Sequence, residues 1–343
     1  MAAKWIYWFQ ELGREHNELV GKKCANLGEM TKVGLPVPQG FALSLDGYKL
    51  FMELTGAGAE MGELVKGIEG LIDKIGGLNE LSRTMRAIVE SKAMPHEMEE
   101  MITSYYRELC NRCGVPDVPV STRSAGAVSH PGQYETHLNV KGASDVMEHV
   151  KKVWSSSFNP VSLAFRKHKE MPLESDPIGV AVLKMVNARV AGIVFTAEPN
   201  SGDTSRVIIE ANWGLGESVV GGECMPDTYL VDRKSLTVAE RRLGAKQRCV
   251  LPTDKGVVEL AQETDRSCVF CLTDEEAVEI AKVGIRLEEH FGAPQDAEWA
   301  IENDLPFPQN IIWLQTRNEV LAKRKEPVDQ LLDLMTTSFI KGR

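Results

Sequence analysis

Two short segments near the C-terminal end of the sequence alternate between polar and apolar side chains, as strands with one buried face do. They span residues 296–301 and 310–316, and a polar turn that contains proline separates them. Two such segments joined by a turn predict an antiparallel hairpin. The apolar side of the first strand, formed by Ala297, Trp299 and Ile301, then belongs in a hydrophobic core.

The other side of this hairpin is polar. It carries Asp296 and Glu298 on the first strand and Gln315 and Arg317 on the second, so that pairing would bring Glu298 near Gln315. Such a face suits a hard cation and phosphates, because Mg²⁺ takes oxygen ligands and shares them with a nucleotide. A solvated strand face with a salt bridge explains the pattern equally well, and both interpretations stay open on the pattern alone.

The sequence pattern changes near residue 115, from helical periodicity to short runs of β-forming residues. Residues 45–113 have helical periodicity, with Leu64, Ile68, Leu71 and Ile75 on one stripe and a further helix from Pro95 to Cys110. Short β-rich runs then follow at 119–122, 180–186, 192–196, 207–211 and 228–231.

One strong amphipathic helix is predicted over 274–291, where Gly292 and Pro294 stop it. Together these elements predict an α+β fold in two lobes, residues 1–175 and 176–318. The charged segment 319–343 is expected to be a tail or a partner-docking segment.

The composition excludes several classes of function. A formal net charge of -10 argues against a non-specific nucleic-acid binder, which needs a basic face. No apolar run approaches the roughly 18 residues of a membrane span, and the N-terminus becomes polar too soon for a signal peptide. The seven cysteines follow no regular framework, which indicates a reducing, cytoplasmic compartment. The separated pairs Cys110/Cys113 and Cys268/Cys271 are better explained as ordinary thiols than as a zinc site.

Two further segments contain candidate phosphate-binding residues. Gly21 and Lys22 do not belong to a P-loop, because His16 and Lys23 stand where that motif needs glycine and serine or threonine. A lysine beside a glycine turn at a helix start still suits a phosphate, although a solvated surface lysine explains it as well. Arg123 precedes a loop of small residues that lets backbone N–H groups approach an anion, or that is simply a turn.

Six ordered segments favour the phosphate-binding interpretations, because together they resemble the nucleotide-binding domain of the phosphoenolpyruvate synthase and pyruvate phosphate dikinase family. They are 21–41, the Arg123 loop, AGIVFTAEPNSGD (191–203), 208–232, CLTDEEAVEIA (271–281), and the 294–317 hairpin. The resemblance covers about residues 15–318. It implies an ATP-grasp fold, in which ATP is held between two lobes.

The resemblance also implies roles for individual residues. It aligns Lys23 and Arg123 with phosphate-binding cations, and Gly132 and Thr136 with loop positions that contact phosphate. Glu298 and Gln315 match the Mg²⁺-binding pair. The remaining implied nucleotide-site residues are Glu217, Asp296 and Arg317, and Lys23, Arg123 and Arg317 are the implied catalytic cations.

The sequence departs from the family pattern at some positions. Leu183 stands where relatives often have a glutamine near the adenine, Ala127 replaces a second arginine of the dikinase loop, and Lys22 replaces a glycine. The family's phosphohistidine motif, similar to Gly-Gly-x-x-Ser-His-Ala, does not surround any of the seven histidines.

The resemblance therefore implies an ATP- and Mg²⁺-binding subunit that needs a phosphohistidine-bearing partner subunit and forms AMP and phosphate. The family member divided in this way is phenylphosphate synthase, so phosphorylation of phenol is the leading expectation. A split phosphoenolpyruvate synthase acting on pyruvate is the alternative, and an idle nucleotide-sensing subunit is the rival from another class.

Overall fold

A computed structural model of the chain describes residues 4–67, 77–126, 134–222, 224–262 and 264–319. The helices of these residues are α1 (Asn17–Val20), α2 (Lys22–Lys32), α3 (Leu45–Leu54), α4 (Ala57–Gly67), α5 (Gly77–Ser91), α6 (His96–Cys113), α7 (Ala143–Ser156), α8 (Pro160–His168), α9 (Glu217–Val220), α10 (Thr264–Ser267) and α11 (Asp274–Phe291). The strands are β1 (Ile6–Trp8), β2 (Gly40–Leu43), β3 (Val120–Ala125), β4 (Thr136–Val140), β5 (Gly179–Lys184), β6 (Ala188–Phe195), β7 (Arg206–Trp213), β8 (Asp227–Asp232), β9 (Thr237–Arg242), β10 (Arg248–Pro252), β11 (Val257–Ala261), β12 (Gln295–Glu302) and β13 (Ile311–Asn318).

The strands of the described residues form two large antiparallel sheets and one small hairpin. The first sheet has the order β1-β2-β5-β3-β4, the second has the order β13-β12-β6-β7-β8-β9, and β10 pairs with β11. Antiparallel sheets with separate helices make this an α+β architecture, as the sequence predicts.

Alternation along the strands of the first sheet gives it two buried faces. Phe41 and Val182 on one face pack with helices α3 to α8 in one hydrophobic cluster. Ala42 and Ala181 on the opposite face belong to a second cluster, which includes α2, α11 and the buried side of the second sheet. This shared cluster joins the two sheets.

Helix α11 has the predicted bounds because both of its ends are capped. Thr273 Oγ1 accepts a hydrogen bond from Glu276 N, and Glu276 Oε2 accepts one from Thr273 N, at 3.2 and 2.9 Å. At the other end Gly292 adopts φ 72°, a left-handed conformation that ends a helix. The helix from Pro95 extends to Cys113, three residues beyond its expected end.

The chain passes from the first sheet to the second between Lys184 and Ala188. Strand β5 follows the expected lobe boundary at residue 175 and nevertheless pairs with β2 and β3 in the first sheet. Of the predicted helical stripe, Leu64 packs against the first cluster, and Ile68, Leu71 and Ile75 lie outside the described residues.

Helix α2 links the first sheet to the last described strand. Its Asn26 Nδ2 donates a buried hydrogen bond of 2.7 Å to the carbonyl oxygen of Thr316 on β13.

The expected tail lies outside the described residues except for Glu319. In the described part of the chain, no helix combines the length and the apolar composition that crossing a membrane requires.

Candidate functional site

A cavity of about 530 Å³ lies between the two large sheets. The first sheet contributes residues of β3, β4 and β5 to its wall, and the second contributes residues of β6, β12 and β13. The start of α9 and the β10–β11 hairpin complete the lining. A cleft between two structural units that is lined by apolar and charged side chains is a common location for a ligand site.

The predicted hairpin forms one wall of this cavity. β12 and β13 pair antiparallel with Glu298 directly opposite Gln315, so the expected neighbourhood of these two side chains is confirmed. A bulge follows Glu298 and brings Trp299 opposite Trp313, and both tryptophans are completely buried. The hairpin therefore has an apolar core side and a polar side, with the carboxylate and the amide facing the cavity.

Glu298 and Gln315 fit the requirements of a Mg²⁺ site shared with a nucleotide. Their Cβ atoms, being on directly opposed residues, are expected about 5 Å apart, which allows both oxygens to reach one ion. Only one of the two side chains is charged, so the phosphates of a ligand would supply further oxygens.

Arg123 connects the two sheets across the cavity. Its Nη1 lies 3.4 Å from Glu298 Oε2 and donates to the carbonyl oxygen of Leu314 at 3.5 Å. Among the residues that the structure describes, its buried Nε has no hydrogen-bond partner. The guanidinium thus retains donor capacity for an anion in the cavity.

Lys23 reaches the cavity from the first turn of α2. Gly21 precedes this helix as its N-cap, with φ 80°, and a Cβ there would lie 2.0 Å from the carbonyl oxygen of Ala125. Only glycine allows this approach of the helix start to the end of β3. Lys22 N also donates to Gly126 O at 2.9 Å.

The ammonium of Lys23 has no hydrogen bond or ion pair with any residue that the structure describes. Burial lowers the pKa of Lys23, and the charges of Arg123 and Arg317 lower it further, whereas Glu298 opposes the shift. Lys23 and Arg123 are the two cations of the cavity wall, so an anionic ligand placed between them would offset the desolvation of the ammonium.

Asp296 and Arg317 form an ion pair beside the cavity. They are opposite each other in the hairpin, and Arg317 Nε and Nη2 both donate to Asp296 Oδ2, at 2.7 and 2.5 Å. Burial raises the pKa of Asp296, although Arg317 lowers it. Neither side chain is part of the cavity wall, in contrast to Glu298.

The structure brings together most of the residues that the sequence singles out. Those lining the cavity are Lys23, Arg123, Thr136, Glu217, Glu298 and Gln315. Thr136 pairs with Arg123 in the first sheet, and Glu217 is the first residue of α9. Gly132 lies outside the described residues.

The remainder of the wall is largely apolar and includes Leu183, Met185 and Leu215. Such a surface suits a planar base. The sequence reasoning missed the contribution of Val250, Val257 and Glu259 from the β10–β11 hairpin. The two strands of this hairpin are short and carry exposed charged residues, so their sequence predicts β-structure only weakly.

The sequence matches the family described as "Pyruvate phosphate dikinase, AMP/ATP-binding domain" over residues 17–337. The chain belongs to this family. The match spans nearly the whole sequence, including every residue assigned above to the cavity wall.

Relatives of the chain in this family carry the name phosphoenolpyruvate synthase. The chain is 34% identical to the probable phosphoenolpyruvate synthase of Staphylothermus marinus, over 98% of the chain and 44% of the relative. It is 36% identical to that of Methanocaldococcus jannaschii, over 99% of the chain and 29% of the relative. The phosphoenolpyruvate synthase of Pyrococcus furiosus is 34% identical over 96% of the chain and 46% of its own length. The chain thus spans less than half the length of these relatives.

Proposed function

We propose that the chain binds Mg·ATP in the cavity between its two sheets and passes the β-phosphoryl group to a histidine of a phosphohistidine-bearing domain or subunit. The observation that carries the proposal is the Lys23 ammonium, which has no hydrogen-bond or ion-pair partner among the described residues. It lines one cavity with Arg123 and the Glu298–Gln315 pair, in a chain of an AMP/ATP-binding family. In this proposal the fold is an ATP-grasp with two lobes, and the boundary expected between residues 1–175 and 176–318 moves to the passage between Lys184 and Ala188, because β5 belongs to the first sheet.

Each side chain has a role that follows from its chemistry. The apolar wall near Leu183 and Leu215 holds the base, and Lys23 and Arg123 bind the phosphates. Glu298 and Gln315 hold Mg²⁺, which neutralises phosphate charge when bound. Because phosphoryl transfer depends mainly on positioning and charge stabilisation, these residues do most of the catalytic work without forming a covalent bond.

The acceptor in this proposal is pyruvate. The relatives named above are phosphoenolpyruvate synthases, so they favour the pyruvate alternative over phenol. The histidine attacks the β-phosphoryl group of ATP and AMP leaves. Water then takes the γ-phosphate, and the phosphohistidine transfers its group to pyruvate.

Product analysis tests this proposal. The chain is incubated with the histidine-bearing part of the enzyme, β-labelled ATP and Mg²⁺, and we expect AMP, phosphate and an acid-labile phosphoprotein. Addition of pyruvate should discharge the label. Formation of ADP without AMP would overturn the mechanism, and discharge by phenol but not by pyruvate would return the acceptor to phenol.

Binding to the chain alone provides an independent check. Calorimetry should show heat on titration with Mg·ATP, and the melting temperature should rise through mass action on the folded state. The absence of both effects at millimolar Mg·ATP would contradict nucleotide binding.

A further inference from the structure

The β10–β11 hairpin crosses the cavity from the second sheet to the first. At its base, Leu215 N donates to the carbonyl oxygen of Val250 at 2.9 Å, next to the end of β7. Val250, Val257 and Glu259 then line the cavity along the hairpin. At the tip, residues 253–256 reach β4 of the first sheet.

Asn139 on β4 holds this tip. Its Nδ2 donates to the carbonyl oxygens of Thr253 and Gly256, at 2.5 and 2.8 Å. Gly256 N donates in return to Asn139 O at 3.4 Å, and Lys141 Nζ donates to Asp254 O at 3.4 Å. Asn139 is buried, although the hairpin tip around it is exposed.

The backbone of β4 is shaped to present this side chain. Val120 pairs with Val140 and Thr122 with His137, so β4 has one more residue than β3 between these pairs. Asn139 lies in this bulge with φ 56°, and bulges commonly turn a side chain away from the ladder. Asn, Asp and Gly tolerate such a conformation best, and of these only Asn has side-chain N–H donors.

The base of the hairpin is held on the second sheet, where Asn212 Nδ2 donates to the carbonyl oxygen of Arg248 at 2.7 Å. In the described residues, β11 pairs only with β10, and β10 adds only isolated bridges from Val250 to Gly214 and Leu215. A two-stranded hairpin by itself is marginally stable in water. The part of the hairpin that crosses the cavity therefore depends on the anchor at its tip.

We propose that Asn139 is a positioning residue that latches the β10–β11 hairpin over the bound nucleotide and must release it for nucleotide to enter or leave. This inference rests on the proposed nucleotide site. The hairpin supplies part of the wall of that site when latched, and an unlatched hairpin opens the cavity to solvent.

Two substitutions of Asn139 test the latch. Asn139→Gly suits the left-handed backbone and removes both donors. Asn139→Asp keeps the size of the side chain but places a carboxylate against two carbonyl oxygens. Lys255→Ala is the matched control, because Lys255 is exposed on the same tip and its side chain takes no part in the anchor.

Stopped-flow kinetics with a fluorescent ATP analogue and Mg²⁺ measure the effect. We expect association and dissociation to become about tenfold faster in both Asn139 variants, the factor given by one to two lost hydrogen bonds of ordinary net strength. The Kd should change much less than either rate, and Lys255→Ala should match the wild type. Unchanged rates would overturn the latch, as would faster dissociation with an unchanged association rate.

Hydrogen exchange without nucleotide separates failure of the latch from failure of the proposed function. Amides of residues 248–261 should exchange about tenfold faster in Asn139→Gly than in the wild type, while those of β12 stay unchanged. If the wild type bound no nucleotide, the proposed function would fail and this exchange result would still decide the latch. Equal exchange in the hairpin would refute the latch even in a chain that binds ATP.

Discussion

Replacement of Glu298 by glutamine removes the negative charge of the carboxylate that we propose as a Mg²⁺ ligand. The side chain keeps its shape on β12, where it is 14% exposed and lies 3.4 Å from Arg123 Nη1. At that distance an effective dielectric constant of 20 gives a gross attraction of about 5 kcal/mol, most of which desolvation of the two groups offsets. Because the amide oxygen still accepts a hydrogen bond from Arg123, we expect the fold to lose only about 1–2 kcal/mol of stability.

The effect on the ligand is expected to depend on metal. Mg·ATP should bind the variant at least about tenfold more weakly, which corresponds to about 1.4 kcal/mol. Metal-free ATP should bind as tightly as before or more tightly, because a carboxylate no longer repels the phosphates. Calorimetry with Mg²⁺ and with EDTA measures both affinities in each protein.

The control is Glu302→Gln, the same chemical change at the other end of β12. Glu302 accepts a hydrogen bond from Asn187 N at 3.2 Å and is not part of the cavity wall. It should retain the wild-type dependence on Mg²⁺. If Glu298→Gln also retained that dependence, the assignment of Glu298 to the metal would be wrong.

Two further predictions concern stability. Trp299→Ala should cost about 3–5 kcal/mol in urea unfolding, because the side chain is fully buried and its Nε1 has no partner in the described part of the chain, so packing accounts for its contribution. A loss below about 1 kcal/mol would contradict its place in the core. Burial raises the pKa of Glu319 to about 7, so the folded state binds a proton there more tightly than the unfolded state does. The free energy of unfolding therefore falls as the pH rises from about 4.5 through 7. Glu319→Gln should therefore be more stable than the wild type by about 1 kcal/mol at pH 8, and the difference should vanish near pH 4.5. This magnitude allows for solvent screening, because Glu319 is only partly buried. Thermal melts of both proteins across this range check it, and a difference that does not vary with pH would refute it.

Local chemistry explains which elements the sequence predicts well. Thr273 and Gly292 define the ends of α11 because caps depend on neighbouring residues. The strict alternation around Trp299 likewise predicts the β12–β13 hairpin and the pairing of Glu298 with Gln315.

The arrangement of strands in the sheets could not be predicted in this way. β5 and β6 follow each other closely in the chain but belong to different sheets. β5 pairs with β2 and β3, and β6 pairs with β12 as well as with its neighbour β7, so partners that are distant in sequence decide the arrangement. The bulge at Asn139 and the hairpin that it holds also depend on contacts across more than a hundred residues. The role of Gly132 stays a prediction from the resemblance.

The contact between α2 and β13 has a consequence for synthesis of the chain on the ribosome. Asn26 is made nearly 300 residues before Thr316, its partner in the buried hydrogen bond. Lys23 likewise precedes Gln315, which lines the same cavity. At about 5–20 residues per second this interval is on the order of tens of seconds. During that time the nascent chain has the lysine but not the opposing strand. Under the proposed function, we therefore expect ATP to stabilise the growing domain only after β13 has emerged, and α2 depends on its apolar contacts with the first sheet until then.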